Sequence, residues 1–201
     1  MLGGMRRGRA GRGFTLIEMM VTVLIVGILA VVAYEGYRKY TTSSHALEAS
    51  AILSGLKERQ ENYKAETGAY LNGSSVLAAN QSVGNFTSLF PMCADSGPGI
   101  PGREKFSWPT GGNCTAQCCP PWQKLKMNST APTFYGFSFI AGGVGATTGS
   151  MTVAGNQMIP AAATAPWFVA TGVADTDGNK VYTTSMISSF DNEIRVDMEN
   201  E

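Results

Sequence analysis

The chain has 201 residues, 44% of them hydrophobic, and its 15 lysines and arginines balance its 15 aspartates and glutamates. This balance gives no overall reason to expect nucleic acid or anionic lipid as the main partner, and the length suits one domain with an appendage, or two small domains. The charge is unevenly placed, because four arginines stand in the first twelve residues; without them, eleven cations face the fifteen anions.

The stretch after these arginines is apolar and of membrane length. Residues 19–34 carry no charge, and the apolar run extends back to Phe14 across a single carboxylate, Glu18. About 20 apolar residues cross a bilayer as a helix, and an ionisable group in such a segment is costly and therefore a functional candidate. A secretory signal peptide or a simple anchor explains the length and leaves Glu18 unexplained.

The string Gly13-Phe14-Thr15-Leu16-Ile17-Glu18 resembles the class III signal of type IV pilins and of the related type II secretion pseudopilins. The resemblance implies cleavage between Gly13 and Phe14 by a prepilin peptidase, N-methylation of Phe14, and retention of the helix. Cleavage creates an α-amino cation at Phe14, about one helical turn from Glu18. In the family picture, Glu18 meets this amine on a neighbouring subunit and sets the axial register during assembly.

An amphipathic continuation of the helix is predicted beyond the membrane stretch. Apolar residues recur there at three- and four-residue steps, namely Ala46, Ala49, Leu53, Leu56 and Tyr63, with Ile52 beside them. Lys57 and the other charged residues lie mostly elsewhere, and Gly68 supplies the expected stop. His45, the only histidine, is expected to be solvated rather than to act as a ligand or base.

All four cysteines lie in a proline-rich loop at 91–132. The arginines before the membrane segment tend to stay on the cytoplasmic side, which places this loop in an oxidising compartment where disulfides are expected. Because adjacent cysteines rarely bond each other, Cys93 and Cys114 are each expected to join one of Cys118 and Cys119. Zinc is the rival interpretation, and the ligand spacing is poor for it.

The same loop carries cations close to aromatic residues: Arg103, Lys105, Lys124 and Lys126 beside Phe106, Trp108 and Trp122. Such a pattern suits single-stranded nucleic acid or a glycan surface. An aromatic cluster around the disulfides, with solvated lysines, is the favoured interpretation. Nucleic acid is a partner that the sequence permits without supporting.

The last third is typical of antiparallel strands. Strands are predicted at 133–140, 151–153, 167–172 and 180–184, with an edge strand at 191–196. Asp175, Asp177 and Asn179 begin like a calcium loop but lack the distant glutamate of the full motif. A plain turn at Asp177-Gly178 is favoured, and no metal or other cofactor is predicted.

These features predict an α+β fold of the pilin type, in which a long N-terminal helix packs on a C-terminal antiparallel β-sheet head. The predicted boundaries are 1–13 for the cleaved leader, 14–36 for the transmembrane and filament-core helix, 37–67 for the amphipathic helix, and 68–201 for the β-rich head with its loop at 91–132. No catalytic constellation is recognisable, so the chain is not predicted to be an enzyme.

The resemblance implies a structural subunit of a type IV pilus, serving adhesion, twitching motility or DNA uptake. Its implied partners are copies of itself or other pilins, the prepilin peptidase, and an inner-membrane platform with assembly and retraction ATPases. The precursor would lie in a bacterial inner membrane with a cytoplasmic leader and a periplasmic head, and the product in an extracellular filament. A secretion pseudopilin and a membrane-anchored binding module are the alternatives.

Overall fold

The computed structural model describes residues 13–73, 89–94, 104–109, 118–146, 152–153, 156–157, 163–176, 178 and 182–197. The chain divides into two compact units with the boundary between Thr41 and Thr42. The first helix, α1 (Leu16–Thr67), contributes residues to both units.

In the first unit, α1 is an exposed apolar helix. Residues 13–15 precede it without helical structure, and every residue from 16 to 40 is exposed. By length and composition α1 contains a window apolar enough to cross a membrane, and none of that window is buried within the chain. A contiguous apolar surface of this size requires lipid or another protein as its cover.

In the second unit, one face of α1 lies on the protein core. Its fully buried residues are Ala49, Leu53, Leu56 and Gln60. The three apolar positions follow the predicted helical spacing. The helix ends where Gly68 takes a φ of 81° and its N–H donates to the Lys64 carbonyl over 2.8 Å, a left-handed conformation that glycine adopts without steric cost.

In the part of the second unit that the structure describes, a short helix and six strands follow α1. A 3₁₀ turn at Met92–Ala94 and α2 (Cys119–Lys124) precede β1 (Gly136–Gly142), β2 (Thr152–Val153), β3 (Asn156–Gln157), β4 (Trp167–Ala174), β5 (Thr183–Ser188) and β6 (Arg195–Asp197). The main sheet is antiparallel with strand order β1-β4-β5-β6, and β2 pairs with β3 in a separate sheet. The predicted α+β fold, with a long N-terminal helix and a C-terminal antiparallel sheet, is confirmed.

One core cluster joins α1, α2 and one face of the main sheet. It includes Leu53, Leu56, Trp122, Phe137, Phe139, Phe168 and Ile187. The rings of Phe90 and Trp122 stack with centroids 4.9 Å apart. Gly172 lies opposite Phe137, and a Cβ at Gly172 would come within 2.8 Å of the Phe137 ring, so glycine is required where the ring crosses β4.

The predicted strand boundaries differ from the observed ones most at β1, β5 and β6, and β6 begins at Arg195 instead of residue 191. β1 begins at Gly136, inside the predicted 133–140 run, and extends to Gly142. β5 begins at Thr183, near the end of the predicted 180–184 run, and extends to Ser188. β5 lies between β4 and β6, and all six of its residues are buried. Its serines and threonines are therefore buried too, and the sequence lacks the alternation of polar and apolar residues that predicts a strand.

Lys57 fastens α1 to the turn after β5. Its Nζ donates to the Asp191 carbonyl (2.8 Å), to Asn192 Oδ1 (2.7 Å) and to the Ser188 carbonyl (3.2 Å). Lys57 was expected to lie away from the packed face. This is wrong, because residues 188–192 contact this part of α1. Their three oxygens accept all the hydrogen bonds that the ammonium can donate.

Gln60 is a buried polar residue on the packed face of α1. Its Nε2 donates to the Leu71 carbonyl over 2.9 Å, and its Oε1 accepts from the Leu71 N–H over 3.0 Å. The side-chain amide thus pairs both backbone groups of one residue in the segment that leaves the helix.

Replacing Gln60 by leucine should lower the free energy of unfolding by about 1–3 kcal/mol, because both Leu71 backbone groups lose their partners. Asn62→Leu, at an exposed position of the same helix, should change it by less than about 0.5 kcal/mol. Denaturant unfolding of the full chain in detergent, followed by tryptophan fluorescence, measures both. Equal effects of the two substitutions would contradict this role of Gln60.

Candidate assembly site at the start of the first helix

Helix α1 begins with a reciprocal pair of hydrogen bonds between Thr15 and Glu18. Thr15 Oγ1 accepts from the Glu18 N–H over 3.3 Å, while Glu18 Oε2 accepts from the Thr15 N–H over 3.1 Å and from the Thr15 hydroxyl over 3.0 Å. This is a capping box, in which the two side chains satisfy backbone donors at the helix end. The Glu18 carboxylate lies in the first turn, where the helix dipole favours an anion.

The sequence identified Glu18 as a functional candidate and missed Thr15. The signal was present, because a threonine three residues before a glutamate, ahead of an apolar run, is the pattern of a capping box. Thr15 holds the carboxylate at the amino-terminal end of the helix, close to Phe14.

Gly13 and Phe14 lie in the exposed, non-helical residues before the cap. The Phe14 side chain is 73% exposed, and a Cβ added at Gly13 would meet nothing within 4 Å. The peptide bond between them is therefore accessible, and the chain's own packing places no demand on a glycine at this position.

Aromatic and basic residues follow the apolar part of α1. Tyr34, Tyr37 and Tyr40 are all exposed, and Arg38 and Lys39 stand between the last two. Tyrosines and cations of this kind lie at the interface between a bilayer and water. They mark the end of the membrane-length surface.

The cysteine loop is cross-linked to itself. Cys93 and Cys118 form a disulfide with their Cα atoms 6.4 Å apart, which is one of the pairings that the sequence left open. Cys119 is also disulfide-bonded, and Cys114 lies outside the described residues. Because oxidised sulfurs are poor metal ligands, this bonding argues against the zinc interpretation.

The loop between β4 and β5 forms a turn around Asp175. Its Oδ1 accepts a hydrogen bond from the Gly178 N–H over 2.7 Å, and Gly178 has a φ of 80°. The two strands pair antiparallel on either side, as a hairpin requires. Asp177 and Asn179 lie outside the described residues, so the structure does not test calcium as the alternative to this turn.

The tryptophans of the cysteine loop belong to the core. Trp108 and Trp122 are only 5% and 2% exposed, and their rings pack edge to face with centroids 5.9 Å apart. They offer no surface on which a base or a sugar could stack. The favoured interpretation of an aromatic cluster is confirmed for these two residues; Arg103 lies outside the described residues.

His45 is not solvated as expected. Its side chain is half-buried, and its ring lies 4.4 Å from that of Phe134, measured between centroids. The expectation is wrong because the segment before β1 covers this part of α1, a long-range contact that helical periodicity does not reveal.

Helix α1 is apolar over a membrane length, carries Glu18 in its first turn and continues into an α+β unit. These features are typical of proteins with an amino-terminal membrane anchor and a folded head. Residues 8–34 match the family model of the prokaryotic N-terminal methylation motif. This match supports the resemblance of the amino-terminal stretch to the type IV pilin family.

The similarity to individual relatives covers between 36% and 38% of this chain. The chain is 40% identical over 77 residues to a fimbrial protein of Neisseria meningitidis serogroup B, covering 38% of this chain and 42% of the relative. It is 41% identical over 78 residues to the type IV major fimbrial protein FimA of Dichelobacter nodosus (37% and 48%), and 38% identical over 74 residues to the type IV major pilin protein PilE of Neisseria gonorrhoeae (36% and 44%). The chain thus spans less than half the length of these relatives. No solved structure matches it significantly.

Proposed function

We propose that the chain is a structural subunit of a type IV pilus filament, assembled through α1. The observation that carries this proposal is the exposure of every residue from 16 to 40. This stretch is uncharged from 19 to 34 and includes Glu18 of the capping box, inside the methylation motif. Lipid covers such a surface in the precursor and copies of the same helix cover it in a fibre. The relatives named as fimbrial proteins and pilins favour a pilus subunit over a secretion pseudopilin.

Processing between Gly13 and Phe14 by a prepilin peptidase, with methylation of the Phe14 amine, belongs to the same proposal. The new amine would be the counter-ion of Glu18 on a neighbouring subunit. Pairing the two charges lowers the cost of placing each among apolar helices. The motif match covers both sides of this bond.

The proposed precursor lies in a bacterial inner membrane with its leader in the cytoplasm and its head in the periplasm. The arginines of the first twelve residues support this orientation, and the Cys93–Cys118 disulfide suits an oxidising compartment. The proposed partners are other pilins, the peptidase, a membrane platform and its ATPases. The proposed role is structural rather than catalytic.

Gly13→Ile should block processing and abolish filaments, because the side chain would stand next to the bond that the peptidase must accommodate. No described residue comes within 4 Å of a Cβ at Gly13 or at Gly27, so Gly27→Ala is a control that should be processed normally. Intact mass spectrometry of membrane fractions measures the leader. Normal removal of the leader from Gly13→Ile would contradict the proposed cleavage site.

A further inference from the structure

Phe134 is the point at which three segments of the second unit are joined. Its ring lies 4.4 Å from His45 of α1, measured between centroids, and its centroid is 4.5 Å from Lys105 Nζ. Its backbone N–H donates to Glu48 Oε1 of α1 over 3.1 Å.

The two segments that meet α1 here are also paired with each other. The Phe106 N–H donates to the Thr133 carbonyl over 2.8 Å, and the Thr133 N–H donates to the Phe106 carbonyl over 2.9 Å. We call residues 104–109 and 133–135 the bridge segments. The cluster of His45, Glu48, Lys105 and Phe134 therefore attaches the bridge segments to α1.

His45 is held in a form that suits only a neutral imidazole. Its Nδ1 is buried and has no hydrogen-bond partner among the residues that the structure describes. A neutral ring tolerates one bare nitrogen as an unused acceptor, whereas the protonated ring must donate from both nitrogens. Protonation would place an unsatisfied, charged N–H in a buried position, which is strongly unfavourable.

The charges around the ring do not remove this penalty. Burial lowers the pKa of His45, attraction by Glu48 opposes that shift, and repulsion by Lys105 adds to it. The buried Tyr135 has its pKa raised to about 12 by burial and by Glu48, so its hydroxyl stays neutral in the acidic range. Glu48 is already engaged by the Phe134 N–H.

We propose that His45 is an acid-sensitive latch, which holds the bridge segments on α1 when neutral and releases them when protonated. Because the pKa of His45 is lower in the folded than in the unfolded chain, where it is ~6.5, the latch contributes fully above that unfolded value. Its contribution is lost as the pH falls through the lower, folded value. The latch does not depend on filament assembly.

The test uses the full chain in detergent micelles and compares hydrogen exchange at pH 7.5 and pH 5.5, corrected for the intrinsic effect of pH. We expect peptides covering the bridge segments to exchange several-fold faster at the lower pH. His45→Phe keeps a ring against Phe134 and cannot titrate, so its protection should be the same at both pH values. Since His45 is the only histidine, an NMR titration of its ring should give a pKa below ~6.5.

Three results would overturn the latch: an equal loss of protection in His45→Phe, no loss in the wild-type chain, or an imidazole pKa at or above ~6.5. His45→Gln, which preserves a polar side chain, provides the same comparison if the phenylalanine variant does not fold. It should also show no dependence on pH in the bridge segments.

Discussion

Replacing Glu18 by alanine is expected to leave removal of the leader intact and to reduce filament yield by roughly tenfold or more, because the Phe14 amine of a neighbouring subunit loses its counter-ion among apolar helices. The bond proposed for cleavage, Gly13-Phe14, lies in the exposed residues before the cap, and we do not expect its cleavage to require the carboxylate. Quantitative blotting of sheared filaments against cell-associated chain measures the yield. Intact mass spectrometry of the cell-associated chain reports processing.

Glu35→Ala is the matched control for this substitution. Glu35 is an exposed glutamate on the same part of α1, but it lies beyond the uncharged stretch and far along the chain from Phe14. We expect it to affect yield much less. Equal losses from the two substitutions would contradict a specific role for Glu18.

The capping box adds a finer test of the same site. Thr15→Val removes the hydroxyl that bonds both the Glu18 N–H and its carboxylate, whereas Thr15→Ser keeps it. The valine variant should lose part of the filament yield, because the carboxylate is no longer held at the helix end, and the serine variant should retain it.

Replacing Phe137 by alanine should lower the free energy of unfolding of the second unit by about 3–5 kcal/mol. Phe137 is fully buried in the cluster that joins α1 to the main sheet, and its ring lies close to Trp108 and Trp122. The cavity left behind could not be filled from β4, because Gly172 faces the ring without a side chain.

Phe190→Ala is the control for lost ring volume, since Phe190 is 42% exposed. Its cost should stay below about 1 kcal/mol. Denaturant unfolding in detergent, followed by the fluorescence of the buried tryptophans, compares the two variants. If Phe137→Ala lowered the free energy of unfolding no more than Phe190→Ala, Phe137 would not be part of the core between α1 and the main sheet.

The amino-terminal half of α1 could be predicted almost completely from the sequence. Its properties are local: an uninterrupted apolar run, one carboxylate and a glycine before the helix. The end of α1 at Gly68 could also be predicted, because a glycine ends a helix through its own backbone conformation and needs no tertiary partner. The antiparallel strands β1 and β4 were recognisable from their aromatic and β-branched residues.

The contacts between elements could not be predicted in the same way. Lys57 and His45 were expected to lie away from the packed face, and Gln60 drew no prediction. Their partners lie 11 to 135 residues away in the chain. Strand β5 is buried on both faces, so its sequence does not show the alternation of polar and apolar residues by which a strand is recognised. The pairing of Cys93 depended on which of two adjacent cysteines the chain brings close, and the choice of Cys118 required the fold.

The proposed function has two parts, which are processing at Gly13-Phe14 and assembly into a filament through α1. Mass spectrometry of filaments sheared from the surface of cells that express the chain tests both parts together. We expect the chain to be present in the filament fraction, with a first peptide that starts at an N-methylated Phe14. A chain that keeps its first thirteen residues, or that is absent from filaments while present in the membrane, would contradict it.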